Sequence, residues 1–107
     1  MNTAYRSRIL GMGLGVPSKI VTNQDLEKIV DTNDEWIRTR TGIEERRYTD
    51  RENGQFLGDI AEEASRNALA KANVAPEEID CVVFATTSPE YIMPNMSCMM
   101  IERLGLV

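Results

Sequence analysis

Thr32, Trp36 and Arg40 follow one another at four-residue intervals inside the run DTNDEWIRTRTGI, residues 31–43. A helix through DEWIRTR sets such residues along one face. At 1.5 Å per residue they span roughly 12 Å, comparable with the reach from a nucleotide base to its phosphates. A threonine hydroxyl gives or accepts a hydrogen bond, an indole offers a stacking face, and a guanidinium presents a planar fork that suits phosphate. That chemistry holds a nucleotide and does not transform it. The same spacing also fits a plain structural role, with Trp36 in a core and Arg40 on a solvated surface, and spacing alone does not choose. Arg38, Arg40, Arg46 and Arg47, interleaved with Glu44 and Glu45, are the one basic concentration in a chain of net charge −5. Nucleic-acid binding draws most of its affinity from a basic stripe. A local excess in an acidic chain points instead to one phosphate-bearing small molecule and away from nucleic acid as a partner.

Histidine is absent, which removes the usual general base near neutral pH and the usual partner of a nucleophilic cysteine. Cys81 and Cys98 have neither metal-ligand spacing nor a CxxC pattern, so a zinc site and thioredoxin-like redox chemistry are poor readings. Cys81 opens an apolar run and reads as a small hydrophobe in a buried strand. Cys98 falls in the first turns of a helix, where the dipole favours a thiolate, but no residue here would activate it. No catalytic residue and no metal ligand is expected within these 107 residues. No apolar run approaches the roughly 20 residues of a membrane span. The N-terminal MNTAYRSRIL lacks the apolar core and cleavage site of a signal peptide. The cytoplasm is the default location, with no membrane partner.

The elements that must position these residues can be read in order. RSRILGMGLGV, residues 6–16, reads as a strand with Gly11, Gly13 and Gly15 on one face. A dinucleotide fingerprint would need a glycine and an opening helix where Val16 and Pro17 stand, so these glycines are taken as sites of close backbone approach. SKIV suits a short extended piece. Thr22 or Asn23 caps a short helix, QDLEKIV, and Asn33 caps DEWIRTR, which Gly42 ends. IEERRY, residues 43–48, suits a strand, and TDRENG a turn. Residues 56–73 carry Leu57, Ile60, Ala61, Ala64, Ala68, Leu69 and Ala72 in helical spacing, and the alanines imply close packing on a sheet. After the turn APEEID, the run CVVFATTS reads as a strand buried on both faces, which makes a right-handed crossover between parallel neighbours. A last helix runs from Pro94 to Leu104, before Gly105. Met96, Met99, Met100, Ile101 and Leu104 make it apolar on so much of its surface that it belongs inside a larger body. The sequence reads as an α/β protein cut off while its core is being built. It has no internal repeat and no linker.

The stretch TNQDLEKIVDTNDEWIRTRTGIEERRY, residues 22–48, resembles β-ketoacyl-acyl-carrier-protein synthase III, the initiating condensing enzyme of type II fatty acid synthesis. The likeness extends to the glycine-bearing first strand, the alanine-rich helix, ATTS at 85–88, and the helix after Pro94 that ends in LGL. It implies a thiolase-like αβαβα layered fold, with residues 1–107 as the N-terminal portion of its first half, truncated before the catalytic cysteine. It implies an acyltransferase that joins an acyl-CoA primer to malonyl-acyl carrier protein, with catalytic cysteine, histidine and asparagine all outside these residues. Acyl-CoA is then a substrate, and no cofactor is expected. By that resemblance Trp36 stacks on the adenine of coenzyme A, Thr32 lies beside it, Arg40 meets the phosphates, and Thr41 is a weaker candidate. Met93, on the loop before the last helix, would line the acyl pocket of the partner subunit in a homodimer. Two other readings stay open: a related acyl-CoA condensing enzyme of secondary metabolism, and a non-catalytic binding or dimerisation module.

Overall fold

The computed structural model describes residues 6–106. Residues 1–5, part of the stretch read above as lacking a signal peptide, lie outside them. The chain divides into two compact units, Val16–Phe56 and the described parts of Met1–Gly15 with Leu57–Val107.

In the Val16–Phe56 unit, β1 (Lys19–Thr22) pairs antiparallel with β2 (Glu45–Tyr48). The register sets Val21 opposite Arg46 and Thr22 opposite Glu45. Between the strands lie α1 (Asn23–Glu27) and α2 (Asp34–Thr41). Helix α1 is shorter than QDLEKIV predicts. It opens on a reciprocal cap: Thr22 Oγ1 accepts from the Asp25 amide at 3.2 Å, while Asp25 Oδ2 accepts from the Thr22 amide at 3.1 Å. Val21, Ile37 and Asn23 are the buried residues of this unit. A short 3₁₀ turn at Arg51–Asn53 then leads to Gly54, where TDRENG predicts a turn. Gln55 Oε1 fastens that turn to the start of β1, accepting from the amide of Ser18 at 2.9 Å.

The second unit is built on α3 (Leu57–Ala72) and α4 (Met96–Leu104). Helix α4 starts two residues later than Pro94 predicts, because Asn95 Oδ1 caps it by accepting from the Cys98 amide at 3.0 Å. Met96, Met100 and Leu104 are its buried stripe, and Ile101 is exposed. Arg103 of α4 donates to Asp59 Oδ1 of α3 at 2.8 Å and faces Glu62 Oε2 at 3.5 Å. The hydrogen bond to Asp59 raises the Arg103 pKa above its ordinary value, and the charges of Asp59, Glu62 and Glu90 add to that.

The glycine and alanine stripes meet. A Cβ built on Gly13 would stand 1.9 Å from the Ala64 carbonyl oxygen, and one on Gly11 2.9 Å from Ala72 Cβ. On Gly15 it would fall 2.1 Å from the Ile60 carbonyl oxygen. Each step of two residues along the glycines therefore moves about one turn back along α3. The pitches agree, since two extended residues rise about 6.6 Å and four helical residues about 6 Å. Asn67 Nδ2 donates to the Leu14 carbonyl at 3.0 Å and fixes the register.

Two predicted strands are absent. Residues 6–16 and 81–88 carry no strand, and among the described residues the only ladder is β1–β2. No parallel pair or crossover is formed there. A strand exists by the ladder bonds it makes to a neighbour, and among the described residues neither segment makes them. The alternation survives without the ladder: residues 11, 13 and 15 are half-buried while 12, 14 and 16 are exposed. Cys81, predicted to be buried in a strand, is exposed with a free thiol. Val83 beside it is 87% exposed.

Candidate functional site

Helix α2 is held at each end by bonds that its sequence supplies. Asn33 is its N-cap, and Asn33 Oδ1 accepts from the backbone N–H of Trp36 at 2.8 Å. The residue capping the helix thus fixes the backbone of its aromatic residue. Glu27 Oε1 accepts from the Asp34 amide at 2.6 Å, which satisfies a second N-terminal donor. At the other end Gly42 takes φ 71°, and its N–H closes on the Arg38 carbonyl at 2.9 Å. That left-handed turn favours a residue without a Cβ. Ile37 is the one buried residue of α2; it anchors the helix and leaves Trp36 and Arg40 outward.

The helix starts at Asp34, so Thr32 stands two residues before it and not on the helical face that the spacing predicts. The Asn33 cap is the physical reason, because an N-cap residue has extended backbone (here φ −148°, ψ 162°). Thr32 still meets Trp36: the two share an open recess of about 190 Å³ with Asp31 and Asn33. Trp36 is 56% exposed, a large fraction for an indole with a structural role.

The basic cluster is not uniform. Arg38 pairs with Glu44 at 3.0 Å and approaches Asp34 at 3.7 Å. Arg46 donates to Asn23 Oδ1 at 2.8 Å, and Arg47 faces Glu45 at 3.7 Å. Among the described residues the side chain of Arg40 alone of these four makes no ion pair or hydrogen bond; its guanidinium sits 5.8 Å from the centre of the Trp36 ring. Composition does not separate the four, but their partners do. Arg40 is the one of the four whose guanidinium has no acceptor among the described residues, and it lies beside an exposed aromatic face.

Thr41 is already engaged. Its hydroxyl donates to the Ile37 carbonyl at 2.7 Å and accepts from the Ile43 amide at 3.1 Å. Met93 belongs to the other unit, where it is 81% exposed next to Tyr91 and Ile92. Cys98 is exposed. No cluster of three or more His, Cys, Asp or Glu that would hold a metal occurs among the described residues. Among them, no helix is long and apolar enough to cross a membrane.

No family model matches the chain. Curated proteins do. It is 47% identical over 100 residues to the β-ketoacyl-acyl-carrier-protein synthase III of Alkalilimnicola ehrlichii, covering 94% of this chain and 30% of that one. It is 48% identical over 100 residues to the same enzyme of Thiobacillus denitrificans, covering 94% of this chain and 31% of that one. The crystal structure of 3-oxoacyl-acyl-carrier-protein synthase III from Aquifex aeolicus superposes with a TM-score of 0.84 at 43% identity, over 92% of this chain and 31% of that one. In sequence and fold the chain matches the N-terminal portion of β-ketoacyl-acyl-carrier-protein synthase III. The α/β class predicted from the sequence is thereby that of the N-terminal part of a thiolase-like fold. The chain spans about 30% of the length of the synthase III relatives it matches.

Two further solved structures are also similar. The priming β-ketosynthase of the R1128 polyketide pathway is 34% identical with a TM-score of 0.71, covering 92% of this chain and 29% of that one. A tetronic acid condensing enzyme is 30% identical with a TM-score of 0.75, covering 92% of this chain and 31% of that one.

Proposed function

We propose that this chain forms the coenzyme A-holding N-terminal portion of a condensing enzyme that joins an acyl-CoA primer to malonyl-acyl carrier protein. The observation that carries the reading is Arg40, a guanidinium without a carboxylate partner, set over the exposed ring of Trp36 in a chain close to synthase III. In this reading Trp36 stacks on the adenine, Thr32 lies at its edge in the shared recess, and Arg40 takes the phosphates. Thr41 has a secondary part, because the proton of its hydroxyl is spent on Ile37.

The reaction is a decarboxylating Claisen condensation. A cysteine thiolate takes the acyl group from coenzyme A, whose thiol leaves. Malonyl-acyl carrier protein then loses carbon dioxide, and its carbanion attacks the acyl-cysteine thioester. The β-ketoacyl product forms and the thiolate returns. The cysteine, histidine and asparagine of that chemistry come from sequence outside residues 1–107, and this chain alone is inactive. Met93 borders the acyl pocket of the partner subunit in a homodimer, so Met93→Phe shifts primer preference. Initiation of fatty acid synthesis in the cytoplasm is the favoured setting. The polyketide and tetronic acid relatives support a second setting, condensation of another acyl-CoA in secondary metabolism.

The test is carbon dioxide release from malonyl-acyl carrier protein by protein that continues past Val107, assayed with and without acyl-CoA. Primer-dependent release with the carrier-protein substrate is expected. Release from malonyl-CoA alone would favour the second setting. No cysteine downstream in the natural reading frame, and no release, would leave a binding or dimerisation module.

A further inference from the structure

Asn23 is fully buried, at 0% exposure, and the polar atoms of its side chain are spent on the surroundings of α2. Its Nδ2 donates to Asp34 Oδ1 at 2.7 Å and to the Ile43 carbonyl at 2.8 Å, while its Oδ1 accepts from Arg46 Nη1 at 2.8 Å. Asp34 is the first residue of α2, and Ile43 follows the Gly42 that ends it. One amide therefore ties down both ends of the helix that carries Trp36 and Arg40, and Arg46 locks that amide to β2. The amide has a single workable orientation. Rotated by half a turn, its oxygen would face the Asp34 carboxylate and the Ile43 carbonyl, and its NH₂ would face a guanidinium.

The side chains of Trp36 and Arg40 are themselves exposed, and neither makes a hydrogen bond or ion pair among the described residues. The geometry they offer a ligand is therefore set by where α2 sits, and α2 is anchored by Ile37, the caps and Asn23. We infer that Asn23 is a positioning residue for nucleotide binding, holding α2 so that the Trp36 face and the Arg40 fork are presented together. This rests on the reading of α2 as the coenzyme A grip. Without the clamp, the two side chains are ordered at the ligand's expense, a cost that lowers affinity roughly 5- to 100-fold.

The 107-residue chain holds one tryptophan, so its fluorescence and near-ultraviolet dichroism report on the site directly. Asn23→Asp keeps the side chain's size and its acceptor for Arg46 but removes both donors. It is expected to leave far-ultraviolet dichroism unchanged, weaken the near-ultraviolet signal of Trp36, and raise the coenzyme A dissociation constant about 5- to 100-fold. The double change N23D/D34N exchanges donor and acceptor across the 23–34 bond and is expected to recover part of that loss. Binding by Asn23→Asp equal to that of the parent would overturn the proposal. Should that variant fail to fold, Asp34→Ala removes one arm of the clamp from a half-exposed site, with the same outcomes deciding. Should the parent itself not bind coenzyme A, the functional reading fails on its own. The positioning claim is then decided by the Trp36 dichroism: loss in Asn23→Asp supports it and an unchanged band contradicts it.

Discussion

At the scale of single residues, a cation that already has a carboxylate partner differs from one that has none. Arg38 sits two residues from Arg40 and carries the same charge, yet Glu44 at 3.0 Å neutralises it. Arg40→Ala is therefore expected to cost coenzyme A affinity about 1.5–3 kcal/mol, the worth of a hydrogen bond to a charged group. Arg38→Ala is expected to change it by less than about 0.5 kcal/mol. Calorimetry on the two variants decides, and equal losses would mean that bulk charge and not Arg40 does the binding. Trp36→Ala is expected to lose about 1–3 kcal/mol, the contribution of an aromatic side chain stacked on a base. The spacing of Thr32, Trp36 and Arg40 was legible in the sequence, but the partners of the arginines were not. Arg46 reaches Asn23 only because β2 pairs with β1, and Arg38 reaches Glu44 only because the chain turns at Gly42, which composition does not encode. Asn23 was hidden for the same reason, because VTNQDL reads equally well with Thr22 or Asn23 as the cap.

At the scale of elements, the helices were legible because caps and apolar spacing are local properties. The N-terminal ends of α1, α2 and α4 were set by Thr22, Asn33 and Asn95, each through a side-chain oxygen that accepts a backbone N–H. The cap of α1 makes a pH prediction. The Lys28 ammonium and the hydroxyl and amide of Thr22 hold the Asp25 carboxyl down to about 2. A depressed folded pKa adds stability above the unfolded value, near 3.8, and that stability is lost as pH falls through about 2. The carboxyl carbon shift of Asp25 is thus expected to titrate near 2 by NMR, and a midpoint near 3.8 would show the cap open in solution. The glycine stripe makes another. Gly13→Ala drives a methyl into the Ala64 backbone and is expected to cost at least about 1–3 kcal/mol in urea unfolding. Gly42→Ala meets no atom within 4 Å, so its cost is that of φ 71° alone, about 1 kcal/mol.

At the scale of the whole molecule, the strands at 6–16 and 81–88 were misread for an instructive reason. Their apolar patterns are those of central strands, but a ladder needs neighbours, and pattern alone does not supply them. Ile9, Met12, Leu14 and Val83 are 81%, 71%, 70% and 87% exposed, a display that monomeric proteins rarely carry as contiguous patches. The chain by itself is expected to bind an apolar dye and to associate at raised concentration. A dye-silent monomer by light scattering would show these faces covered. The central claim does not wait on that surface, because the proposed grip lies within Val16–Phe56. Titration of the 107-residue chain with coenzyme A, followed through the emission of its one tryptophan, tests it most directly. The account expects saturable quenching of Trp36 that added salt weakens and that Arg40→Ala shifts to roughly 10- to 100-fold higher coenzyme A. Emission that stays unchanged up to millimolar coenzyme A would contradict it.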